Sequence, residues 1–479
     1  MRMPLHFLLA SAAARSGNLR LPKQSLNTSS AQSNKDHRGG FALDFAEPRV
    51  IGHREHGLSP QQVSSGARKV VHALCEAGFS AELVGGCVRD LLLEHVPKDF
   101  DVVTDARPEE VRQVFRRARL IGRRFRLAHV RMGREVVEVS TYRSLPTMAG
   151  GDYEVHGEHG RILRDNVFGN RDQDAMRRDF TVNALYYDPL KNEVIDYVDG
   201  FKDLQAGRLR MIGLAAERIS EDPVRMLRAV RFQAKLGLVL DQEIEVLMPE
   251  MAYFLRHVPP ARLFDEVLKM FHHGHALKVF DDLYRYGLFA ELFPAAARAF
   301  IELDLESRTG LVRRVLINTD QRVKEGKPVI AAFLFAGLLW RALLVDRDRR
   351  VSHGTAGYPA LQQAAGDVIG RESQRIAIPR RVSIVMLEIW EMQHRLQERR
   401  PRMIQRLLEN KRFRAAYDFL VLRAGAGEVA QDIADWWTRV QAVTLDERRQ
   451  MINALAITGD GRKRRPRKRR RRPVKTATP

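Results

Sequence analysis

Lys98-Asp99-Phe100-Asp101-Val102-Val103 is the stretch that decides how this 479-residue chain folds. In an extended strand side chains alternate faces, and residues two apart lie about 6.6 Å from each other. Asp99 and Asp101 are therefore expected on one face, with Phe100 and Val102 on the other. Burying the apolar face would leave two bare carboxylates aimed at something positive, and Mg²⁺ suits them. Two solvated acids on a polar strand edge are the plainer reading of an isolated acid-apolar-acid triplet. The flanking sequence argues against that reading.

Upstream, Ala81-Glu82-Leu83-Val84 reads as a strand running into Gly85-Gly86, and Cys87-Val88-Arg89-Asp90-Leu91-Leu92-Leu93 then takes helical spacing. Glycines let backbone N–H groups approach phosphate oxygens, and a helix N-terminus adds positive potential. No G-x-x-x-x-G-K-[ST] is present, so this is not a P-loop. Downstream, Ile121-Gly122-Arg123-Arg124-Phe125-Arg126-Leu127-Ala128-His129-Val130 sets guanidiniums, suited to bidentate phosphate contacts, beside a strand. A solvated basic face is the alternative there. Glu135 to Arg143 alternates as a strand, with Glu138 either a further acid near the metal or a structural acid paired with Arg143 or Arg126. Ser144 to Gly160 is Gly-rich and expected to be mobile.

Arg177-Arg178-Asp179-Phe180-Thr181-Val182-Asn183-Ala184-Leu185 places two cations and an acid over anchoring apolar residues, a wall fit for a triphosphate and sugar. In a second reading Asp179 merely orients the two arginines. Glu221-Asp222-Pro223-Val224-Arg225 is expected to open a helix with acids and Pro in its first turn. Asp222 and Arg225, three apart, would be neighbours able to read a base edge or to form a ligand-free ion pair.

Leu83-Val84-Gly85-Gly86-Cys87-Val88-Arg89-Asp90 followed by Lys98-Asp99-Phe100-Asp101 resembles the head of the class II nucleotidyltransferases of the DNA polymerase beta superfamily. That group includes bacterial poly(A) polymerases and CCA-adding tRNA nucleotidyltransferases. Residues 177–185 are similar to its second signature motif, and the Arg-Arg-Phe-Arg-Leu-Ala-His-Val stretch looks more like the poly(A) polymerases. The resemblance covers about Leu58 to Leu240 with specific motifs, and the helical body to about Trp437 less specifically. It implies Asp99, Asp101 and Asp179 as catalytic carboxylates, the first two holding two Mg²⁺. It implies Gly85, Gly86, Arg89 and Arg178 around the phosphates, and Asp222 with Arg225 as a protein template that selects the base. The implied activity is template-independent polyadenylation, the transfer of AMP from ATP to RNA 3′ ends with release of pyrophosphate. The implied setting is a cytoplasmic monomer that meets RNA, ATP and RNA-decay or RNA-chaperone proteins, with no membrane partner. A CCA-adding enzyme, taking CTP before ATP, shares every head motif. A non-catalytic RNA-binding protein that kept the fold is the alternative from another class.

The resemblance implies an α+β fold, and the composition, 44% hydrophobic and 29% charged, agrees with a protein of several domains long enough to bury a substantial core. Its formal net charge of +21 favours a polyanionic partner, nucleic acid before an anionic membrane. Cys75 and Cys87 cannot form a disulfide framework and fit a reducing cytosol. Met1 to Ala14 resembles a poor signal peptide, because Leu5-His6-Phe7-Leu8-Leu9-Ala10 is short and follows Pro4; a floppy extension or a mis-assigned start codon is expected instead.

The apolar run from Pro328 to Trp340 stops at Arg341, short of the roughly 20 residues a spanning helix needs, and reads as a buried helix. His272-His273-Gly274-His275 with Asp281-Asp282 is not expected to bind metal, since Gly274 breaks the helical spacing. The expected organisation is a poorly ordered extension over residues 1–57 and a small mixed-sheet nucleotidyltransferase head over 58–212. A helical neck over 213–275 and an all-helical RNA-binding body over 276–455 follow, then a disordered basic tail over 456–479. From Arg462 to Lys475 the tail holds eleven cations, so its removal would lower the net charge from +21 to +10. It is expected to act as an electrostatic arm on RNA phosphates, or else only to solubilise the chain.

Overall fold

Short runs of alternating or fully apolar residues in the first half of the chain pair into a sheet, and longer amphipathic runs in the second half pack as helices. The computed structural model describes residues 47–122, 126–144, 156–157, 161–162, 167–301 and 305–458. Its strands in chain order are β1 (Arg49–Gly52), β2 (Ala81–Val84), β3 (Asp101–Thr104), β4 (Arg119–Ile121), β5 (Leu127–Met132), β6 (Glu135–Thr141), β7 (His156–Gly157), β8 (Arg161–Ile162), β9 (Leu185–Asp188), β10 (Glu193–Asp196), β11 (Arg208–Leu209) and β12 (Val239–Leu240). Eight of them form one mixed sheet in the order β1-β10-β9-β2-β3-β6-β5-β4. β3 and β6 run parallel, with Asp101 opposite Glu138, and the other neighbours pair antiparallel. The remaining strands make two separate pairs, β7 with β8 and β11 with β12.

The helix Ser65–Glu76 covers the sheet, its apolar residues recurring at helical spacing. Ser64 caps it by accepting from the Ala67 amide at 3.1 Å, and Ala67, Val70, Val71 and Leu74 are buried. Behind β2 the chain turns through Gly85 into the helix Gly86–Leu92, so the glycine pair does join a strand to a helix start.

Three boundaries differ from the sequence reading. Arg49–Gly52 falls within the stretch expected to be unstructured, yet it pairs with β10 at the sheet edge and buries Ile51; four residues are too few to stand out against Ser, Asn and Gly. Asp99 lies at a bend two residues before β3, so only Asp101 belongs to the strand. Ala206-Gly207-Arg208-Leu209-Arg210-Met211-Ile212, whose sequence also reads as a strand, is reduced to β11, which follows the helix Gly200–Gln205 and pairs parallel with β12.

From Ala215 onward nearly every element is helical. The apolar run ending at Trp340 forms the first half of the helix Ala331–Ser352, buried against the helices Pro294–Ile301, Gly357–Ile376 and Arg380–Glu398. Trp390 Nε1 donates to the Ala336 carbonyl at 3.1 Å, and Phe335 stacks on Phe264 with ring centres 5.8 Å apart. A smaller apolar cluster gathers around Trp437, whose Nε1 donates to Leu396 O at 2.8 Å. No described helix is long and apolar enough to cross a membrane. The last helix, Leu445–Thr458, runs just past the boundary expected at 455; the arginine-rich tail and most of the Gly-rich stretch after Ser144 lie outside the described residues.

Gly200 is packed where no side chain fits. A Cβ there would press on the backbone carbonyl of Thr181, in the short 3₁₀ turn Thr181–Asn183 that carries Asn183 towards the site. Backbone cannot rotate away, so Gly200→Ala should cost about 1–3 kcal/mol. Urea denaturation should show the midpoint falling accordingly, and an unchanged midpoint would refute this packing.

Candidate active site

Gly85 takes φ of +77°, a left-handed conformation that disfavours any side chain. A Cβ there would also come within 3.2 Å of an Arg178 guanidinium nitrogen and 3.5 Å of Asn183 O. The glycine thus lets the helix start sit directly beside Arg178, and the first-turn amides of that helix have no intrahelical acceptor. Arg89, on the same helix, is buried. Its Nε donates to Asp90 at 2.9 Å and its Nη1 to Asn183 Oδ1 at 2.5 Å, while its guanidinium sits 5.1 Å from the Phe232 ring centre.

The acids gather at the start of β3. Burial by the surrounding protein pushes the Asp101 carboxyl up to about 6, helped by Glu138 and Asp99 and opposed by Arg178. Asp101 nonetheless keeps an open, solvent-reachable edge. Glu138 faces it across the β3–β6 pair and accepts from His129 Nε2 at 3.2 Å, whereas Arg126 goes to Glu109 at 2.5 Å. Glu138 therefore stands beside the paired acids rather than with Arg126. Asp99 is exposed, with Lys98 Nζ at 4.0 Å. Among the described residues no three His, Cys, Asp or Glu side chains converge into a ready-made metal cage. Arg123 and Arg124 lie outside the described residues.

Across from the acids stands a residue the sequence reading missed. Asp174 is fully buried on the helix Arg171–Met176 and accepts from Arg177 at 2.9 and 2.7 Å, from Arg178 at 3.1 and 2.8 Å, and from the Tyr186 hydroxyl at 2.9 Å. Burial alone would raise its pKa, but the two guanidiniums outweigh it and hold the carboxyl down at about 2. Its spacing of three and four residues from the arginines is the signal that could have found it. Arg178 further lies over the Tyr186 ring, 5.5 Å from its centre.

Asp179 does not orient those arginines. It accepts from Arg228 on the helix Val224–Leu236 at 2.6 Å, from Asn183 Nδ2 at 3.0 Å and from the Phe180 amide at 2.8 Å. Burial opposes its ionisation, and Arg228 with these hydrogen bonds more than compensates, leaving its pKa lowered. Arg218 completes the wall by donating to the carbonyls of Arg177 and Arg178 at 2.8 and 2.7 Å.

The expected base-reading pair sits on the neck. Asp222 precedes the helix Val224–Leu236 instead of lying in its first turn, because Pro223 ends one helix and starts the next. Its carboxylate accepts from the Val224 amide at 3.2 Å and from Arg262 at 2.6 Å, while Arg225 donates to Glu221 at 2.8 Å and to Arg218 O at 2.5 Å. Each thus has its own partner, and the ligand-free ion pair between them does not form. Near the histidine cluster Asp281 pairs with Arg313 and Asp282 with Lys278. Cys87 is pushed up to about 12 by burial, so it is an inert thiol.

Comparison with known proteins agrees on one family. Three family models match: "Poly A polymerase head domain" over residues 81–210, "Probable RNA and SrmB- binding site of polymerase A" over 237–300, and "Polymerase A arginine-rich C-terminus" over 353–472. Poly(A) polymerase I of Salmonella typhi is 42% identical over 434 residues, spanning 90% of this chain and 93% of its own. That of Haemophilus influenzae is 42% identical over 85% and 91%. A CCA-adding enzyme of Streptococcus pneumoniae is 33% identical over only 56% of this chain and 63% of its own. Among solved structures, the Bacillus stearothermophilus CCA-adding enzyme in complex with CTP aligns with a TM-score of 0.52 at 22% identity, covering 80% of this chain and 83% of that one. The Thermotoga maritima CCA-adding enzyme complexed with tRNA gives 0.56 at 17% identity, over 84% and 94%. Those structural likenesses speak for the fold alone; it is the identity sustained along nearly the whole length of its relatives that places this chain in the bacterial poly(A) polymerase family, as a nucleotidyltransferase that polyadenylates RNA without a template.

Proposed function

We propose that Asp99 and Asp101 hold Mg²⁺ while ATP lies between them and the arginine wall, with the 3′ end of an RNA as acceptor. The observation that supports this best is the crowding of Asp101 by Glu138 and Asp99 with Arg178 opposite: a carboxylate lifted to about 6 by burial and like charge is short of a cation. Hard oxygen donors in a pair rather than a closed cage suit Mg²⁺, which usually keeps one or two carboxylates and takes its other ligands from water and substrate phosphates. When bound, Mg²⁺ would lower the pKa of the RNA 3′-hydroxyl and neutralise charge on the departing pyrophosphate.

The protein's own groups do the rest. The Gly85-Gly86 backbone and Arg178 position the phosphates, and Arg89 braces Asn183 behind them. Asp179 acts as a positioning residue, tying Asn183 to Arg228 on the neck. Asp222 and Arg225 select adenine. The 3′ oxygen bonds to the α-phosphorus as the bridge to pyrophosphate breaks, and the hydroxyl proton leaves to solvent. ATP as donor is consistent with a cytoplasmic site of action.

Asp101→Asn should reduce ATP-dependent pyrophosphate release by at least about a thousandfold, since it removes a charge that the transferring phosphoryl depends on. Near-normal release would sink the assignment of the paired acids. The raised pKa also has a sign. The folded carboxyl binds its proton more tightly than the unfolded one, whose pKa is 3.8, so in the metal-free protein its contribution to stability declines as pH rises from about 4 to 6 and is constant above. Mg²⁺ needs the ionised form, and calorimetric titration should therefore show affinity steady above about pH 6 and falling below it; affinity flat down to pH 5 would exclude Asp101 as a ligand.

Asp174 behaves in the opposite sense. With its folded pKa near 2, below 3.8, its contribution is present at neutral pH and lost as pH falls through that window. Asp174→Asn leaves two guanidiniums without their buried counter-charge and should cost about 3–5 kcal/mol. Urea melts and the KM for ATP should both register it, and unchanged values would show that Arg177 and Arg178 are held by other means.

A further inference from the structure

We infer that a cavity in the helical body, between the helices Leu305–Lys324, Ala331–Ser352 and Phe413–Gly425, takes one nucleobase of the RNA strand upstream of its 3′ end. The inference rests on the proposed RNA acceptor and adds where that strand is gripped. The cavity measures about 250 Å³, room for a purine ring, and its floor is apolar: Val329, Phe333, Leu334 and Ala415. Phe333 supplies an aromatic ring, the kind of surface on which any base can stack.

Its rim is cationic. Arg322, Lys411, Arg412 and Arg414 line it; Arg414 is paired with Asp418 at 3.0 Å and Arg412 with Glu388 at 2.8 Å. Arg322 and Lys411 make no ion pair among the described residues, and Arg322 donates to the Pro328 carbonyl at 3.1 and 2.9 Å. Two cations without an ion-pair partner among the described residues, beside an apolar pocket, match a phosphodiester strand that inserts a base, whereas an apolar peptide or lipid would leave them unmatched. His272 also lines the cavity, and its Nε2 is buried with no hydrogen-bond partner among the described residues. A base edge or a ribose hydroxyl would satisfy it.

Beside the cavity the surface carries further cations. His273, adjacent to His272, lies in the field of Lys98, Arg231 and Lys235. Lys98 directly precedes Asp99, and Lys235 reaches Asp90 on the helix after the glycine pair at 3.4 Å. Cations near the acids and near His273 are thus placed where they would attract the phosphates of a strand whose 3′ end is being extended.

Two variants of the full chain test this. Ala415→Trp fills the cavity, and Lys411→Glu reverses charge at an exposed rim position whose loss should leave folding intact. For a long oligoadenylate both should raise KM about tenfold while kcat at saturating RNA stays within about twofold. For a primer too short to reach the cavity neither should differ from wild type. A fluorescent adenine analogue placed at successive positions from the 3′ end should change emission at one internal position in the wild-type protein and at none in the variants. If Ala415→Trp does not fold, Lys411→Glu and the wild-type fluorescence scan decide. Wild-type KM in both variants, no responding position, or equal loss on the shortest primers would overturn the inference. Extension of the same primers by the wild-type protein with ATP reports the proposed activity separately.

Discussion

A single buried carboxylate, Asp174, determines where the cations of this head can be. Removed from water on its own it would take up a proton; flanked by Arg177 and Arg178 and hydrogen-bonded by Tyr186 it stays ionised. Such a cluster is weak evidence for stability, because desolvation consumes most of the Coulombic gain, but breaking it is costly. Its value is geometric. Arg178 is pinned against Gly85 and over Tyr186, so its charge stands opposite Asp101. Asp101 thus has the acids Asp99 and Glu138 and the guanidinium of Arg178 around it, and a nucleoside triphosphate with its metal is the kind of ligand that needs both charges.

A second tier of contacts ties that crevice to the neck. Asp179 reaches Arg228, Arg89 lies over Phe232, and Arg218 caps the carbonyls of the two site arginines. Each uses the planar fork of arginine, with several donors in fixed directions, where a lysine would offer a point charge. Glu221 then joins Arg218 to Arg225. Arg225 is therefore held by the same frame of contacts that holds Arg177 and Arg178, whereas Asp222 is held separately by Arg262. The apolar core beneath is continuous from Ile51 in the sheet to Phe419 in the body, which keeps this frame from being an isolated cap.

Much of this was legible in the chain as written, because its signals are local. A glycine pair between strand and helix, and apolar residues three and four apart, each specify a conformation through backbone geometry and side-chain period alone, whereas of the acid-apolar-acid triplet only Asp101 takes the extended conformation its alternation suggests. Gly85, Asp101 and the buried helix ending beyond Trp340 follow from such rules. Even Asp174 was within reach, since its partners lie one helical turn away.

What the linear chain could not decide were pairings between distant segments. Asp179 finds Arg228 49 residues on, Asp222 finds Arg262 40 residues on, and β1 joins β10 across nearly the whole head. With 80 lysines and arginines available, spacing cannot say which cation meets a given acid. Tertiary packing chooses, because taking a charge out of water is affordable only where a matching partner is brought to it by a different element. The sequence by itself determined the kind of chemistry and the strand and helix that present it. The fold determined which charges are spent on holding the frame and which are left facing the substrate.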